Sequence, residues 1–586
     1  VTESQPGGVG IGQAEAIDRG QAHAPASTIG RALVLGDDTR GFLATVRSLG
    51  RHGIEVHAAP ANFRAPALRS RYISAVHRLP CWSGDGSAWL DAMTRLLTEN
   101  RFDAVFPCNE TSLLPLHAAR ARFSRLTALA MPDEEAVRVL FDKHATRLLA
   151  ASLAIPVAPG RLLRAEEDPG AILHEFGGQV VVKPRCSYRL DRLHQRGKVR
   201  IAATIDELTA SLNRLPREEI LLEGFCPGVG VGVSILARDG VVSQAFQHRR
   251  AREMDGTSYY RVSEDADPAM VRACEAIAAA LSLSGIAMFE FRRAREGSWV
   301  LLEVNARPWG SMPLAQALGL DFVYRWYCQL LHAAAPPPVR YRAGIYGRNL
   351  VPDLRAIFTE ASQHRAAGRR IGHAAMQLWG LRRVLTGGEV QDVFTADDPG
   401  PARTELAQTM DEIGRRVAVA LPFHRALAAR RARRAVRAAW RSSGTILFLC
   451  QGNICRSPFA AAALRQLVRQ PDRVVSAGML PLSGRPCPEL AVQAASRLGI
   501  DLGQHRSRML DQADLDRARA VLVFDAVNRS ALLDLYPASG LTLVQLGDLT
   551  GVGEIADPVD GDEHAFVETY TKILAGISAI ANLVAS

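Results

Sequence analysis

The sequence predicts a multidomain α/β protein: a parallel α/β domain first, an α+β segment after it, and a separate doubly wound parallel-sheet domain at the end. Three observations carry this expectation. The chain has 586 residues, more than one hydrophobic core organises. Apolar residues make up 48% and charged residues 22%, which suits folded rather than disordered protein. Short apolar runs followed by helix-period stretches open at Arg31 and again at Thr445, whereas neighbouring strand-like runs fill much of the interval.

Residues 1–30 are rich in Gly, Ala, Pro, Ser and Gln without periodicity and read as a flexible tail. RALVLG, the helical DDTRGFLATVRSLGRHG and IEVHAA then form a strand, helix, strand unit, and FDAVFPCN and LTALAM supply further buried strands. These place a small parallel α/β domain over residues 31–132. The next segment, 133–340, has strand patterns at 180–183, 219–224, 230–237, 240–247, 286–292 and 299–304, separated by helical runs. Residues 341–424, after the Ala-Pro-rich AAAPPPVR, carry less periodic signal and read as a helical extension. RALAARRARRAVRAAWRSS, residues 425–443, is a helix former with Leu427, Val436 and Trp440 as its larger apolar residues. It reads as a solvated helical linker, with contact to an anionic surface as the alternative. Residues 444–586 form the last α/β unit.

The formal net charge of +10 arises largely from Arg425, Arg430, Arg431, Arg433, Arg434, Arg437 and Arg441 in that linker, so specific nucleic-acid binding is not expected. Nine scattered cysteines show neither zinc-ribbon spacing nor a disulfide framework, and no run of eighteen apolar residues is present to span a bilayer. The start of the chain lacks the charged and apolar regions of a signal peptide. A cytoplasmic protein is the expectation.

The stretch TILFLCQGNICRSPFAAAALRQLVRQ is the most informative. A buried strand ends at Cys450, a five-residue loop leads to Arg456, and Ser457 and Pro458 suit the start of an Ala-rich helix. Backbone N–H groups and a helix N-terminus thus converge in one bowl that favours a tetrahedral dianion. The same field favours the thiolate in which Cys450 would attack, and the planar fork of Arg456 can grip two phosphoryl oxygens.

This segment resembles the low-molecular-weight protein tyrosine phosphatases, whose C-x-G-N-x-C-R-S-P signature is matched by Cys450, Gly452, Asn453, Cys455, Arg456, Ser457 and Pro458. The likeness continues through SAGM, RLGIDLGQHRSRML, VLVFD and the Asp557-Pro558 pair. It implies attack of Cys450 on phosphorus, a phosphocysteine intermediate, and Asp557 as the acid that protonates the leaving oxygen and then activates water. It further implies that Asn453 holds the loop geometry and Ser457 hydrogen-bonds the thiolate. Cys455 could pair reversibly with Cys450 or be inert filler. Val559, Asp560 and Gly561 follow Asp557-Pro558 where family members directed at tyrosine often carry aromatic residues, so the choice between phosphotyrosine and a small phosphate monoester stays open. Related arsenate reductases need a redox cysteine pair further downstream, and no cysteine follows Cys487.

The earlier half has no G-x-x-x-x-G-K-[ST] loop. GQVVVKPR places Lys183 at the end of an apolar strand, where it requires an anionic partner, and ILLEGFCPG repeats the arrangement with Glu223. Glu303 and Asn305 in LLEVNARPWG share one face of a strand, and Glu290 in FEF can join them from its neighbour. Oxygen ligands of this kind suit magnesium, although three polar residues on strands can equally be ordinary surface. The order of DK, VVKPR, LLEG, FEF and LLEVNAR resembles the ATP-grasp superfamily, with residues 31–132 in the place of its pre-ATP-grasp domain and 133–340 in that of the ATP-grasp domain itself. The resemblance implies ATP and Mg2+ as cofactors, Lys143 and Lys183 as phosphate contacts, Glu223 at the adenine hinge, and Glu290, Glu303 and Asn305 as metal ligands. The phosphate-covering loop RCSYRLDRLHQRGK has Gly197 alone, so either Arg185 and Lys198 replace backbone amides or activity is reduced. Arg307 is the candidate to bind a carboxylate or the transferred phosphoryl group. His248, Arg249 and Arg250 are either a basic cluster beside the active strands or a solvated strand end.

Together these readings give a bifunctional enzyme: an ATP-dependent ligase joining a small carboxylate to an amine through an acyl phosphate, and a cysteine-dependent phosphatase acting on a phosphate monoester of the same pathway. The alternative is a regulatory protein-tyrosine phosphatase fused to an unrelated or degenerate ATP-binding module.

Overall fold

The computed structural model describes residues 30–36, 40–193, 196–214, 216–254, 257–337, 339–363, 383, 386–420, 422–480, 483–536, 541–559 and 561–585. The expected tail, apart from Gly30, lies outside these. The chain forms two compact units, Val1–Leu406 and Ala407–Ser586.

The first unit opens with a parallel sheet of β1 (Arg31–Leu35), β2 (Glu55–Ala59), β3 (Ile73–Val76), β4 (Ala104–Pro107) and β5 (Ala128–Leu129), in the order β3-β2-β1-β4-β5. Its central strand is apolar on both faces, and Ala32, Leu33 and Val34 are wholly buried, as a parallel sheet covered on both sides requires. Strand order reverses between β1 and β4. Beyond the end of β4, Asn109 caps the helix Glu110–Ala118 by accepting from Ser112 N at 3.0 Å, which sets Glu110 at the switch point.

A buried polar chain crosses β2: Glu55 Oε1 lies 3.0 Å from His57 Nε2, and His57 Nδ1 lies 2.9 Å from His77 Nε2. With Glu55 ionised, His57 donates to it and accepts from His77, so both rings are neutral. Burial, then the charge of His57, pushes the His77 pKa down to about 4. A depressed histidine contributes stability that is full above its unfolded value near 6.5 and is lost as pH falls towards 4. The expected result is a melting temperature that drops between these pH values in wild type and drops less in His77→Gln.

Two antiparallel systems follow. A four-stranded sheet contains β6 (Gly160–Leu162), β7 (Val180–Pro184), β8 (Arg200–Ala202) and β9 (Ile220–Gly224), ordered β6-β9-β7-β8. A seven-stranded sheet contains β10 (Val229–Arg238), β11 (Val241–Met254), β12 (Thr257–Glu264), β13 (Gly285–Arg293), β14 (Trp299–Asn305), β15 (Tyr346–Arg348) and β16 (Glu389–Gln391). Its order is β14-β13-β10-β11-β12-β15-β16, antiparallel except for β15 with β16. All six strand patterns noted above in this region form strands.

Residues 341–424, expected to be a helical extension, instead also supply β15 and β16 to the large sheet. Besides the sheet's own ladder, a buried charge network holds them. Arg348 donates to Glu389 at 2.7 and 2.9 Å and pairs with Asp353, and Arg252 reaches Asp353 at 2.7 Å. Strands three residues long leave almost no alternation in the sequence. The helices Leu350–Gln363 and Gly400–Ala420 account for the helical part, and residues 364–382 lie outside the described residues.

The second unit is a parallel sheet of β17 (Thr445–Cys450), β18 (Val474–Gly478), β19 (Ala518–Val523) and β20 (Leu543–Gln545), ordered β18-β17-β19-β20. This is a doubly wound arrangement whose switch point falls at the carboxyl end of β17. Helix Arg456–Arg465 packs on helix Glu563–Ala585 through Phe459 and Tyr570, whose rings stack at 3.8 Å.

The Arg-rich segment is not a solvated linker. It lies in helix Pro422–Arg441, which buries Ala432, Val436 and Ala439 in the same core as Ile446, Phe448 and Leu546. Arg430, Arg434, Arg437 and Arg441 lie on the opposite, exposed face. Arg473 fastens the helix end: it donates to the carbonyls of Trp440 at 3.0 Å, Ser442 at 2.6 Å and Gly444 at 2.7 Å, and lies over the Trp440 ring. A cation among carbonyls at a helix C-terminus is favourable.

Two candidate active centres

In the second unit, β17 delivers Cys450 to the switch point, where the chain turns into the helix Arg456–Arg465. The N-cap position is Cys455, so Ser457 sits inside the first turn, and its hydroxyl serves the site instead of capping. Cys450 Sγ is 3.0 Å from Ser457 Oγ. Asn453 has φ +53°, the left-handed region, and the loop pays for that conformation with a set of fixed contacts. Asn453 Nδ2 donates to Ser457 Oγ at 2.9 Å and Ser476 Oγ at 3.0 Å, and its Oδ1 accepts from Arg508 N at 3.0 Å. The Asn453 carbonyl lies 2.8 Å from His505 Nε2.

Arg456 is 1% exposed and is held by both carboxylates near it: Nη1 pairs with Asp525 and donates to Ile555 O at 3.0 Å, and Nη2 reaches Asp557 Oδ2 at 2.5 Å. Burial opposes its charge, but Asp557 and Asp525 more than offset this and hold the guanidinium above its usual range. Its Nε is buried without a hydrogen-bond partner. A buried donor is costly unless something accepts from it, and a phosphoryl oxygen is a fitting acceptor. Asp557 itself is about one-third exposed, so it can meet a leaving group. Burial, then the charges of Asp557 and Cys450, pushes the Cys455 thiol far up, and Cys487 is pushed up to about 12 by burial and Cys450. Neither is a thiolate at neutral pH.

In the first unit, Lys183 on β7 is 6% exposed and pairs with Glu223 on β9; Arg147 also lies 3.9 Å from Glu223. Lys143 opens the helix Lys143–Ser152, donates to Ser187 Oγ at 2.7 Å, and lies 3.6 Å from Glu303. On the large sheet Glu290 of β13 stands directly opposite Glu303 of β14. Asn305 Nδ2 lies 3.2 Å from Glu290 Oε1 and 3.4 Å from Glu303 Oε1, and Arg307 Nη2 donates to Asn305 Oδ1 at 3.3 Å and to Glu110 at 3.1 Å. Burial and the facing Glu303 raise the Glu290 pKa, against Arg250 at 2.5 Å. Burial also penalises the Glu303 charge, but Lys143 and Lys183 outweigh it and hold that carboxyl well below the usual range.

Among the described residues no three His, Cys, Asp or Glu side chains are grouped to hold a metal ion. Two partly buried carboxylates supply oxygens here, beside an amide whose Nδ2 faces them and whose oxygen accepts from Arg307. That set fits magnesium, which needs few protein ligands beside phosphate and water. Arg250 reaches Glu290 because β10 carries Gly230 and Gly232 between them: a Cβ on Gly230 would meet Arg250 Cδ at 2.6 Å and one on Gly232 the His248 ring at 2.3 Å. His248 and Arg250 are thus part of the packed sheet face, not a solvated strand end.

The structure therefore groups Lys143, Glu290, Glu303, Asn305 and Arg307, with the Lys183–Glu223 pair close enough for Lys183 to act on Glu303. Arg185 pairs with Asp142 at 2.6 Å, and Lys198 is exposed on the loop between β7 and β8. Sequence reading assigned no role to Asp525, Ser476, His505, Glu110 or Arg147. Asp525 carried the clearest signal, since it follows the apolar strand VLVF as Cys450 follows ILFL.

A family model described as low molecular weight phosphotyrosine protein phosphatase matches residues 445–585, and one described as ATP-grasp in the biosynthetic pathway with Ter operon matches residues 216–348. The probable low molecular weight protein-tyrosine-phosphatase EpsP of Ralstonia nicotianae is 38% identical over 135 residues, 23% of this chain and 92% of that protein. The protein-arginine-phosphatase of Geobacillus stearothermophilus is 34% identical over 119 residues, 20% of this chain and 79% of that one. Among solved structures, the ADP complex of N5-carboxyaminoimidazole ribonucleotide synthetase covers 57% of this chain and 85% of its own, with TM-score 0.46 and 12% identity. Through residues 445–585 the chain belongs to the low-molecular-weight phosphotyrosine protein phosphatase family, and it joins that domain to an ATP-grasp domain.

Proposed function

We propose that the chain is a bifunctional enzyme. Its second unit hydrolyses a phosphate monoester: Cys450 attacks phosphorus, the ester oxygen departs with a proton from Asp557, and water deprotonated by Asp557 then breaks the sulfur–phosphorus bond to release inorganic phosphate. The observation that carries this reading is the Cys450–Ser457 contact at 3.0 Å beside a buried Arg456 held by two carboxylates. Ser457 stabilises the thiolate as leaving group, and Asn453 keeps the loop in its left-handed turn.

The first unit transfers the γ-phosphoryl group of ATP to a small carboxylate, releasing ADP, and an amine then attacks the acyl phosphate to give an amide and expel inorganic phosphate. Lys143 and Lys183 contact the nucleotide phosphates, Glu223 lies at the adenine hinge, and Arg307 binds the carboxylate or the transferred phosphoryl group. Glu290, Glu303 and Asn305 would hold magnesium, which neutralises phosphate charge when bound. Two opposed, partly buried carboxylates set among Lys143, Lys183, Arg250 and Arg307 support this assignment. The product or substrate of that reaction, carrying a phosphate, is the class of metabolite on which the second unit acts.

A second reading, a regulatory protein-tyrosine phosphatase beside a degenerate ATP module, is favoured by the name of the Ralstonia relative and by Arg185 being committed to Asp142. ATP binding separates the two. Removing one charge-assisted phosphate contact costs about 1.5–3 kcal/mol, so Lys183→Ala should weaken Mg2+-dependent ATP binding about 10- to 100-fold in calorimetric titration. Wild type that binds no ATP would favour the degenerate module. Circular dichroism guards against misfolding, because the substitution leaves buried Glu223 with Arg147 alone.

A further inference from the structure

The loop of residues 483–488 places a second arginine against the phosphate loop. Arg485 is anchored by its backbone: its N–H donates to Ser507 Oγ at 3.1 Å, and its carbonyl accepts from Ser507 N at 2.8 Å. From there its Nη2 donates to the carbonyl of Gly452 at 2.9 Å. A Cβ at Gly452 would stand 3.0 Å from that same nitrogen, so glycine allows the approach.

The Gly452 carbonyl belongs to the peptide plane that enters Asn453, the residue in the left-handed region. The plane leaving Asn453 is held at its carbonyl by His505 at 2.8 Å. Arg485 and His505 thus fix the two planes flanking the strained residue, and the Asn453 side chain is fixed between them by Ser457, Ser476 and Arg508. Without Arg485 the entering plane is released.

Charge supplies an independent argument. Arg456 is shared between Asp525 and Asp557, so its positive charge is largely compensated. Among the described residues Arg485 meets no carboxylate; the acidic groups that act on it are the thiols of Cys450 and Cys455, while burial lowers its own pKa. Its Nε is buried without a partner. A cation that is partly desolvated and not offset by a carboxylate favours a nearby anion more strongly than a paired one does.

We propose that Arg485 is a positioning residue of the phosphatase centre, locking the Gly452–Asn453 peptide plane and supplying the uncompensated cation that keeps Cys450 as a thiolate. The inference rests on the reading of Cys450 as nucleophile. The groups facing Cys450 are Ser457, Arg456 with its partners Asp525 and Asp557, the buried thiols Cys455 and Cys487, Tyr570, and His505 and Arg508 on the far side of Asn453. Burial first, then the charge of Asp557 for Cys455, of Cys450 for Cys487 and of the neighbouring thiols for Tyr570, raises the pKa of all three, so these stay neutral across the working range.

The test uses the full chain as wild type, Arg485→Met and Arg485→Lys. The rate of Cys450 alkylation by iodoacetamide, a neutral reagent, is followed against pH by mass spectrometry of the Cys450 peptide, beside kcat and KM for an aryl phosphate. Arg485→Met should slow alkylation near pH 6 about tenfold and move its midpoint to higher pH, with kcat/KM falling in parallel. Arg485→Lys should keep the midpoint near that of wild type because it keeps the charge. Wild-type alkylation profiles in Arg485→Met, or a midpoint in Arg485→Lys shifted as far as in Arg485→Met, would overturn the proposal. An Arg485 effect on alkylation in a chain that hydrolyses no aryl phosphate supports the positioning role while refuting the phosphatase reading. An effect on KM alone, confined to substrates with a second anionic group, would assign Arg485 to substrate recognition and also overturn it.

Discussion

Cys450→Ser will lose aryl phosphate hydrolysis by on the order of 10⁵-fold or more, the scale seen when a nucleophile is removed from a unit of cooperating groups. The substitution keeps shape and polarity, and Ser457 Oγ, 3.0 Å away, can still hydrogen-bond it. What disappears is the sulfur nucleophile, because a serine hydroxyl is far harder to ionise than a thiol and has no base within the loop to take its proton. The anion cradle itself is untouched: Arg456 keeps Asp525 and Asp557, and Asn453 keeps its turn. Inorganic phosphate should therefore still inhibit or bind the variant with affinity within a few-fold of wild type, which separates loss of chemistry from loss of folding.

Asp557→Asn will lower kcat by about 10²- to 10⁴-fold for a phenyl phosphate, the usual contribution of a positioned acid and base. The loss should be smaller for p-nitrophenyl phosphate, whose leaving group needs little protonation. Asp557 shares Arg456 with Asp525 through Nη2 at 2.5 Å, and its Oδ1 accepts from Val559 N at 3.3 Å, so asparagine can occupy nearly the same place. A phosphate dianion entering the loop competes with Asp557 for the Arg456 fork. Asparagine should then bind phosphate no more weakly than aspartate does, and the defect should fall on kcat and not on KM.

The Cys450 loop was legible because its chemistry is contiguous. Nine residues from Cys450 to Pro458 carry the nucleophile, the turn residue and the arginine, and β17 and the following helix fix their geometry. Asp525 was not, since it lies 69 residues beyond Arg456 and only the sheet order brings β19 beside β17. The same distinction holds in the first unit. Glu303 and Asn305 share a strand face by simple alternation, whereas Glu110 reaches Arg307 from a different sheet's switch point.

Four elements were misread or passed over for identifiable reasons. In helix Pro422–Arg441 the inward face consists of Ala432, Val436 and Ala439, so its apolar stripe is narrow and low in bulk, and the arginines of the outer face dominate the pattern. β15 and β16 are three residues each and are reinforced by Arg348, Asp353 and Glu389, charged residues whose burial no periodicity announces. β12, TSYYRVSE, alternates less by hydrophobicity than by size, and its Arg261 is fully buried through Asp392. Buried ion pairs, not apolar runs, thus mark the parts of the large sheet that sequence reading left out.

The most direct measurement mixes the Asp557→Asn chain with radiolabelled p-nitrophenyl phosphate and quenches within the first turnover. With attack intact and hydrolysis of the intermediate slowed, the account predicts a burst of p-nitrophenol and one labelled phosphoryl group per chain, on Cys450, and none in Cys450→Ser/Asp557→Asn. Turnover without a protein-bound label, or a label that persists when Cys450 is replaced, would contradict it.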